Sequence, residues 1–375
     1  MGGPLSEQSV PDVPVLSSIP RDIAAVSDYE RYARERLDDN AWVFLASGAA
    51  DEITLRENRA AFDRLQLRSR VLSKMRGAHT RLELLDQKLT HPILLGPIAY
   101  QRLFHTDGEV ATVLAARAMG APMVVSSLAT VRLEQLATSG ANLWFQLYLQ
   151  ARREDTLTLV RRAEDSGCKA LVVTVDAPLV GIRNQQQRVG FHLPPGIAAV
   201  NLEGLPPPPM PQLSPDSSVV FDGLLAHAPT WEDIAWLCES TELPVILKGI
   251  LDPEDALLAL QHGAQGIIVS NHGGRVLDTL PASIDALPAI AQAVAKSVPI
   301  LLDGGIRRGS DIFKALALGA DAVLIGRAYV YALAAAGALG VAHVIRTLRE
   351  ELEVCMALTG CATLDKIDSN RLFNN

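Results

Sequence analysis

Residues 267–275 read Ile267-Ile268-Val269-Ser270-Asn271-His272-Gly273-Gly274-Arg275. The first three are β-branched and apolar, as in a strand buried on both faces, and the run ends in polar residues and a glycine pair. Glycine accepts left-handed backbone without a Cβ clash, so Gly273 and Gly274 predict a sharp turn at the strand end. In an α/β barrel such strand ends face the ligand. His272 and Arg275, three residues apart, set a candidate base beside a fixed cation, a pair suited to removing a proton from an anionic substrate. Taken alone, the stretch also reads as a surface turn with incidental polar groups.

Working outward, seven more short apolar runs end in polar or glycine residues: 93–96, 122–126, 143–147, 170–175, 244–248, 299–302 and 321–325, beside 266–270 itself. Most are followed by helical periodicity, as at 107–119, 152–166, 252–262 and 309–318. Eight β-then-α units predict a TIM (β/α)8 barrel. A doubly wound sheet also uses continuous apolar strands, but candidate site residues fall at the ends of nearly all eight runs, as a closed ring allows.

Before the barrel, Asp28 to Leu37 and Ala49 to Leu65 are charged on one face and apolar on the other, predicting an N-terminal helical cap. Residues 1–24 are expected to be flexible, 25–368 to form the barrel domain, and 369–375 to be a polar tail. About 65 residues separate the fourth and fifth strands, too many for an ordinary βα loop. A lid over 190–230 is expected there, with the proline-rich Gly204-Leu205-Pro206-Pro207-Pro208-Pro209-Met210-Pro211 as a linker or a polyproline ligand. From 327 to about 357 the chain is helical and rich in alanine and leucine.

With 375 residues, 49% of them hydrophobic and 20% charged, the chain can bury a large core. A net charge of −8 without a dense basic block gives nucleic-acid binding no electrostatic source. Cys168, Cys238, Cys355 and Cys361 are scattered without CxxC spacing, so reduced thiols and no metal site are expected. No uninterrupted apolar run approaches the roughly 18 residues of a membrane span, and a cytoplasmic protein that handles a small molecule is expected.

Two glycine-rich ends, Leu302-Asp303-Gly304-Gly305-Ile306-Arg307-Arg308-Gly309 and Ile325-Gly326-Arg327, follow the seventh and eighth runs. In barrels these loops often bind phosphate through bare amides and a helix N-terminus, with Arg307 or Arg327 balancing the charge. One phosphate without a P-loop suggests a phosphorylated cofactor. Lys248, ending the fifth run, needs a partner because a buried ammonium is costly. An electron-rich cofactor edge, a Schiff-base role and simple snorkelling all fit it. Asp176, in Thr174-Val175-Asp176, either orients His272 or caps the next helix. Gln146 and Tyr148 share one side of the third strand end and offer an amide and a phenol.

Together these motifs closely resemble the FMN-dependent 2-hydroxy acid oxidase and dehydrogenase family over about residues 25–368. The most specific pieces are Ser270-Asn271-His272-Gly273-Gly274-Arg275, Thr174-Val175-Asp176-Ala177-Pro178, Phe145-Gln146-Leu147-Tyr148 and Asp303-Gly304-Gly305-Ile306-Arg307-Arg308-Gly309, in the family's order. The resemblance implies FMN in the barrel mouth, His272 as base and Asp176 as its partner. It further implies that Arg275 and Arg183 hold the substrate carboxylate and that the Tyr148 phenol lies near the substrate hydroxyl. Pro97, Ile98 and Ala99 would lie against the flavin, with Ser126, Gln146, Thr174, Ser270 and Lys248 around its ring. Asp303, Gly304, Gly305, Arg307, Gly326 and Arg327 would hold the ribityl and phosphate groups. The reaction implied is oxidation of an L-2-hydroxy acid to a 2-keto acid, with oxygen or a quinone taking the electrons and a homo-oligomer, a tetramer in relatives, carrying the site.

The chain departs from the pattern where Phe44 stands in place of a tyrosine that often helps bind the carboxylate. The substrate must then rest on Arg275 and Arg183, or present something other than a free carboxylate. Leu128 replaces a tryptophan of glycolate oxidase and Ile98 is also apolar, so medium-chain or aromatic, mandelate-like substrates are expected over glycolate. A barrel isomerase, a lysine-dependent lyase and a noncatalytic scaffold are the competing readings; the His272 and Arg275 pair argues against them.

Overall fold

A computed structural model describes residues 13–373 apart from Met210. Eight parallel strands close into a barrel: β1 (Ile93–Leu95), β2 (Met123–Ser126), β3 (Leu143–Leu147), β4 (Leu171–Thr174), β5 (Val245–Ile250), β6 (Gly266–Val269), β7 (Ile300–Leu302) and β8 (Ala322–Ile325), with β8 pairing back to β1. The expected runs therefore form strands within a residue or two, and the TIM barrel is the fold. Each strand is buried along nearly its whole length, which is why the sequence shows continuous apolar runs and no alternation. Leu94, Val124, Trp144, Val172, Ile246, Ile268, Leu301 and Leu324 fill the barrel interior, joined from below by Leu84 and Leu89. Those two come from an antiparallel hairpin, Leu82–Leu84 with Gln87–Leu89, that periodicity did not reveal.

The cap contains three helices, α1 (Tyr29–Arg36), α2 (Asp39–Ala46) and α3 (Ile53–Arg64). The sequence reading anticipated α1 and α3 but missed α2, an eight-residue helix capped by the Asp38 side chain accepting from Ala41 N at 2.7 Å. Asp278 holds the start of α3 by accepting from Thr54 N at 2.8 Å and Asp51 N at 3.0 Å.

Described residues near both ends of the chain touch the rest of the protein. Of the segment expected to be flexible, residues 1–12 lie outside the described residues, while 13–24 are mostly exposed but fastened at points: Leu16 N donates to Ala335 O at 2.9 Å and Ile23 is buried. At the other end, Leu372–Phe373 pairs with Gln66–Leu67 as a two-stranded sheet. Apolar side chains anchor both segments, and Leu372 is itself buried. The helix Arg327–Thr359 is long and apolar enough to cross a membrane by composition, but 78% of its most apolar window is buried inside the protein. It is also broken at Ala336 and Gly337, the latter at φ +55°. Its apolarity is that of a core helix packed on α1 and on Glu109–Met119.

The insertion after β4 is mostly irregular, with a short helix Asn184–Val189 and a wide turn Val219–Leu224. It is tied down at Asn201, which is buried and accepts from Leu133 N at 2.9 Å. The four cysteines are unpaired, and no cluster of metal-ligating side chains occurs among the described residues.

Candidate active site

The C-terminal strand ends converge on one mouth. His272 leaves β6 in left-handed backbone, φ +57°, followed by Gly273 at +63° and Gly274 at +71°. Three successive left-handed residues are costly for all but glycine, and the Ser270 hydroxyl helps hold the turn by accepting from His272 N at 3.0 Å. Packing also demands the glycines: a Cβ on Gly274 would lie 2.7 Å from Leu55 N. The turn swings the imidazole toward β4, where His272 Nδ1 meets Asp176 Oδ1 at 2.9 Å. Asp176 therefore orients the histidine and caps no helix.

Asp176 fits only because β5 carries Gly249, at φ +114°, where an added Cβ would lie 2.5 Å from Asp176 Cβ and Cγ. Burial pushes Asp176 up, but the hydrogen bond and charge of His272, with Lys248 beyond, bring it below the usual carboxylate range. Burial pushes His272 below the ordinary imidazole value, opposed by the hydrogen bond to Asp176 and assisted by Lys248. The histidine is thus neutral at pH 7, with Nδ1–H donated to Asp176 and Nε2 free to accept a proton.

Arginines surround this base. Arg275 Nη1 donates to Ser47 O at 2.8 Å and its guanidinium lies 5.3 Å from the Phe44 ring centre. Arg327 donates to Leu45 O, Gly273 O and Ser47 O at 2.9 to 3.0 Å. Both cations thus rest on carbonyls at the C-terminal end of α2, the partially negative pole of that helix. Arg183 begins the helix Asn184–Val189, and its buried Nε has no hydrogen-bond partner among the described residues. Burial lowers Arg275 far below the ordinary guanidinium value, with Arg183 and Arg327 repelling it further; burial likewise lowers Arg183, and Arg327 to about 10. Guanidinium stays charged in proteins, so these depressions register chiefly the burial of three cations, with mutual repulsion adding to it at Arg275 and Arg327. Burial raises the Tyr148 phenol, with Lys248, Asp176, Arg183 and Arg275 the charges that act on it.

A second polar group lines the barrel mouth. Ser126, Gln146 and Thr174, on adjacent strands, are linked side chain to side chain at 3.1 and 3.0 Å. Lys248 is buried, donating to Ser270 Oγ at 2.9 Å and pairing with Asp303 Oδ2 at 3.0 Å. Burial works against its ammonium, but Asp303 and Asp176 more than offset this and keep it charged. Asp303 Oδ1 is buried without a partner. Gly304 and Gly305 follow at φ +100° and +83°, leading through Arg307 into the helix Gly309–Ala317. Among the described residues the Arg307 side chain donates only to Ile306 O, at 2.9 Å, which leaves most of its N–H groups available to an anion. Gly326 lies against Ile98, 3.5 Å from where its Cβ would be.

Several organising residues escaped the sequence reading. Asn271 and Asn58 exchange hydrogen bonds at 2.9 and 2.8 Å, fastening α3 to the His272 turn. Asn40 does the same with the His192 backbone, at 2.8 and 3.1 Å, joining α2 to the lid. Phe191 stacks on Phe44 with ring centres 5.0 Å apart, and Phe104 and Tyr100 complete an aromatic cluster. Asn271 lies inside the opening motif; Asn40, Asn58 and Phe191 carry no periodic or spacing signal.

A barrel mouth with a hydrogen-bonded His272–Asp176 pair, buried arginines and a polar rim offers the groups that a flavin-type oxidoreductase would use. The chain belongs to the FMN-dependent dehydrogenase family, whose profile matches residues 33–374. It is 50% identical to an L-lactate oxidase of Roseobacter sp. (strain GAI101), over 92% of this chain and 94% of the relative. It is 43% identical to glycolate oxidase of Spinacia oleracea, over 94% and 96% respectively. A mandelate oxidase structure with (S)-2-phenylpropionate superposes with a TM-score of 0.84 at 41% identity, covering 94% of this chain and 98% of that one. The protein is an FMN-dependent enzyme of the 2-hydroxy acid oxidase group.

The residues fit FMN. The unpartnered Asp303 Oδ1 suits a ribityl hydroxyl, the Gly304 and Gly305 turn with Arg307 suits the phosphate, and Lys248 suits the electron-rich ring edge. Ser126, Gln146 and Thr174 would meet the ring's other polar edge, with Pro97 to Ala99 against its face. Arg327 has N–H capacity left for the phosphate, although three of its donors already serve the protein.

Proposed function

We propose that the protein oxidises L-2-hydroxy acids bearing a medium-length or aromatic side chain to 2-keto acids, with dioxygen as acceptor and hydrogen peroxide as product. The observation that carries this reading is the contact of His272 Nδ1 with Asp176 Oδ1 at 2.9 Å, in a mouth that also holds the buried Arg275 and Arg183, for which no acidic partner occurs among the described residues. Arg275 and Arg183 bind the carboxylate and fix the α-carbon. His272 Nε2 takes the hydroxyl proton, and Asp176 stabilises the imidazolium so formed. Bound FMN supplies the acceptor for the hydride leaving the α-carbon. The Tyr148 phenol hydrogen-bonds the reacting oxygen.

Phe44 in place of a tyrosine, Leu128 in place of a tryptophan and the apolar Ile98 support the side-chain preference, because together they leave a roomier and less polar pocket. The oxidase relatives support dioxygen as acceptor. A homotetramer acting in the cytoplasm completes the proposal, in keeping with four unpaired thiols.

The test is anaerobic bleaching of the holoenzyme by glycolate, L-lactate, L-2-hydroxyoctanoate and (S)-mandelate, followed by peroxide detection in air. Bleaching with stoichiometric peroxide is expected, and mandelate or hydroxyoctanoate should exceed glycolate in kcat/KM. Bound FMN that no hydroxy acid bleaches overturns the reaction. Reoxidation by a quinone but not by air overturns the acceptor.

A further inference from the structure

The turn after β7, from Asp303 to Gly309, is gripped from two sides. On the cap side α3 lies so close that a Cβ on Gly305 would meet Asn58 O at 2.0 Å, and Arg59 Nη1 donates to Gly305 O at 2.6 Å. On the other side a Cβ on Gly309 would meet Leu352 N at 2.2 Å. The amides that open the next helix are taken by carboxylates: Asp311 Oδ2 accepts from Arg307 N at 2.9 Å and Arg308 N at 3.0 Å, and Glu351 Oε2 accepts from Gly309 N at 2.7 Å. Each carboxylate carries its own arginine. Arg59 meets both oxygens of Asp311, at 2.6 and 3.2 Å, and Arg308 meets Glu351 at 2.7 Å. Arg307, with no acidic partner among the described residues, is the cation left over.

We propose that Arg59 and Asp311 are positioning residues for the FMN phosphate: Asp311 shapes the turn through its amides, and Arg59 cancels the negative charge that Asp311 brings to it. The role bears on cofactor retention, and so holds whether or not hydroxy acids are the substrates. Asp311 is buried, where a charge acts on its neighbours with little screening. Left alone, its carboxylate would oppose a phosphate at the very helix start whose dipole favours one. Arg59 removes that conflict. Burial opposes the Arg59 charge, but the hydrogen bonds and charges of Asp311 and Asp63 more than offset this and hold it above the ordinary guanidinium value. Asp63 is 68% exposed and its pairing is screened by water, so Asp311 is the partner that matters. Arg59 also follows Asn58, which fastens α3 to the His272 turn, so one stretch of helix seats both the phosphate turn and the base turn.

Asparagine at 311 separates shape from charge, because its side-chain oxygen can still accept from Arg307 N and Arg308 N. Wild type and variants are loaded with FMN or with riboflavin, which lacks the phosphate, and release after dilution is followed by the rise of free-flavin fluorescence. Arg59→Met should release FMN about tenfold faster or more, the scale of a lost hydrogen bond to a charged group, and riboflavin less than about twofold faster. Asp311→Asn should release FMN no faster than the wild type. In the double variant Arg59→Met with Asp311→Asn, FMN release should return to within about threefold of wild type, because both charges are gone and neighbouring changes do not add. FMN release unchanged by Arg59→Met, or equal acceleration of FMN and riboflavin, makes Arg59 a general structural support and overturns the proposal. A double variant that loses FMN as fast as Arg59→Met overturns it too. Should Arg59→Met fail to fold, Asp311→Asn alone decides, since faster FMN release from it refutes the charge balance. Bleaching by hydroxy acids is read separately, and its failure leaves this result standing.

Discussion

Asparagine at position 176 isolates the electrostatic part of the dyad. The side chain keeps its shape beside Gly249, so the close approach of backbone and carboxylate is preserved, but the charge that His272 Nδ1–H meets at 2.9 Å is lost. A hydrogen bond to a charged group is worth about 1.5–3 kcal/mol, which corresponds to a roughly 10- to 150-fold loss in the rate of flavin reduction if the imidazolium forms in the transition state. The direction of the pH effect follows from the same contacts. Burial lowers His272 and the Asp176 hydrogen bond and charge raise it, so removing the carboxylate lowers it further. The acid limb of kcat/KM should therefore move to lower pH while the plateau falls. Anaerobic rapid mixing of the holoenzyme with L-lactate and (S)-mandelate across the neutral and acid range measures both, and FMN should remain bound. An unchanged plateau, or an acid limb displaced upward, would refute the assignment of Asp176 as the group that supports the base.

Arg275→Met removes a guanidinium that rests on Ser47 O and should raise KM at least tenfold with smaller change in FMN affinity; unaltered steady-state kinetics would count against carboxylate binding there. Phe44→Tyr places a phenol by Arg275, and an improvement of up to about tenfold in kcat/KM for short hydroxy acids is expected, from one added hydrogen bond of about 1.5 kcal/mol. Gly249→Ala puts a Cβ 2.5 Å from Asp176 in backbone at φ +114°, so activity should fall tenfold or more while circular dichroism stays that of a barrel; full activity would remove Gly249 as the seat of the dyad. His91, His105, His272 and His343 are all held below the ordinary imidazole value, chiefly by burial. The unfolded chain takes up protons near pH 6.5 that the folded protein refuses, so the melting temperature should decline as pH falls from about 7 toward 5, and a rise over that window would contradict the burial argument.

The strands were legible because a parallel barrel buries both faces of each one, leaving apolar runs bounded by glycine and polar residues. His272, Arg275, Asp176 and Lys248 were legible because each sits at such a boundary. Helix α2 was not, since Ala41 to Ala46 is an unbroken apolar run without the charged face that marks α1 of the same length, and its C-terminal carbonyls under Arg275 and Arg327 were hidden with it. Neither was the resting place of Arg327, whose position in a phosphate-type loop says nothing of the three carbonyls it also holds.

By itself the sequence determined the barrel, the order of its strand ends and the kinds of chemical group each end presents, because periodicity and glycine placement are local properties of the chain. The tertiary structure decided which of those groups meet. It brought Asp176 to His272 across 96 residues and set Asn58 against Asn271 across 213. Such contacts depend on how separate elements pack and on which polar groups burial leaves without water, and no local pattern encodes either.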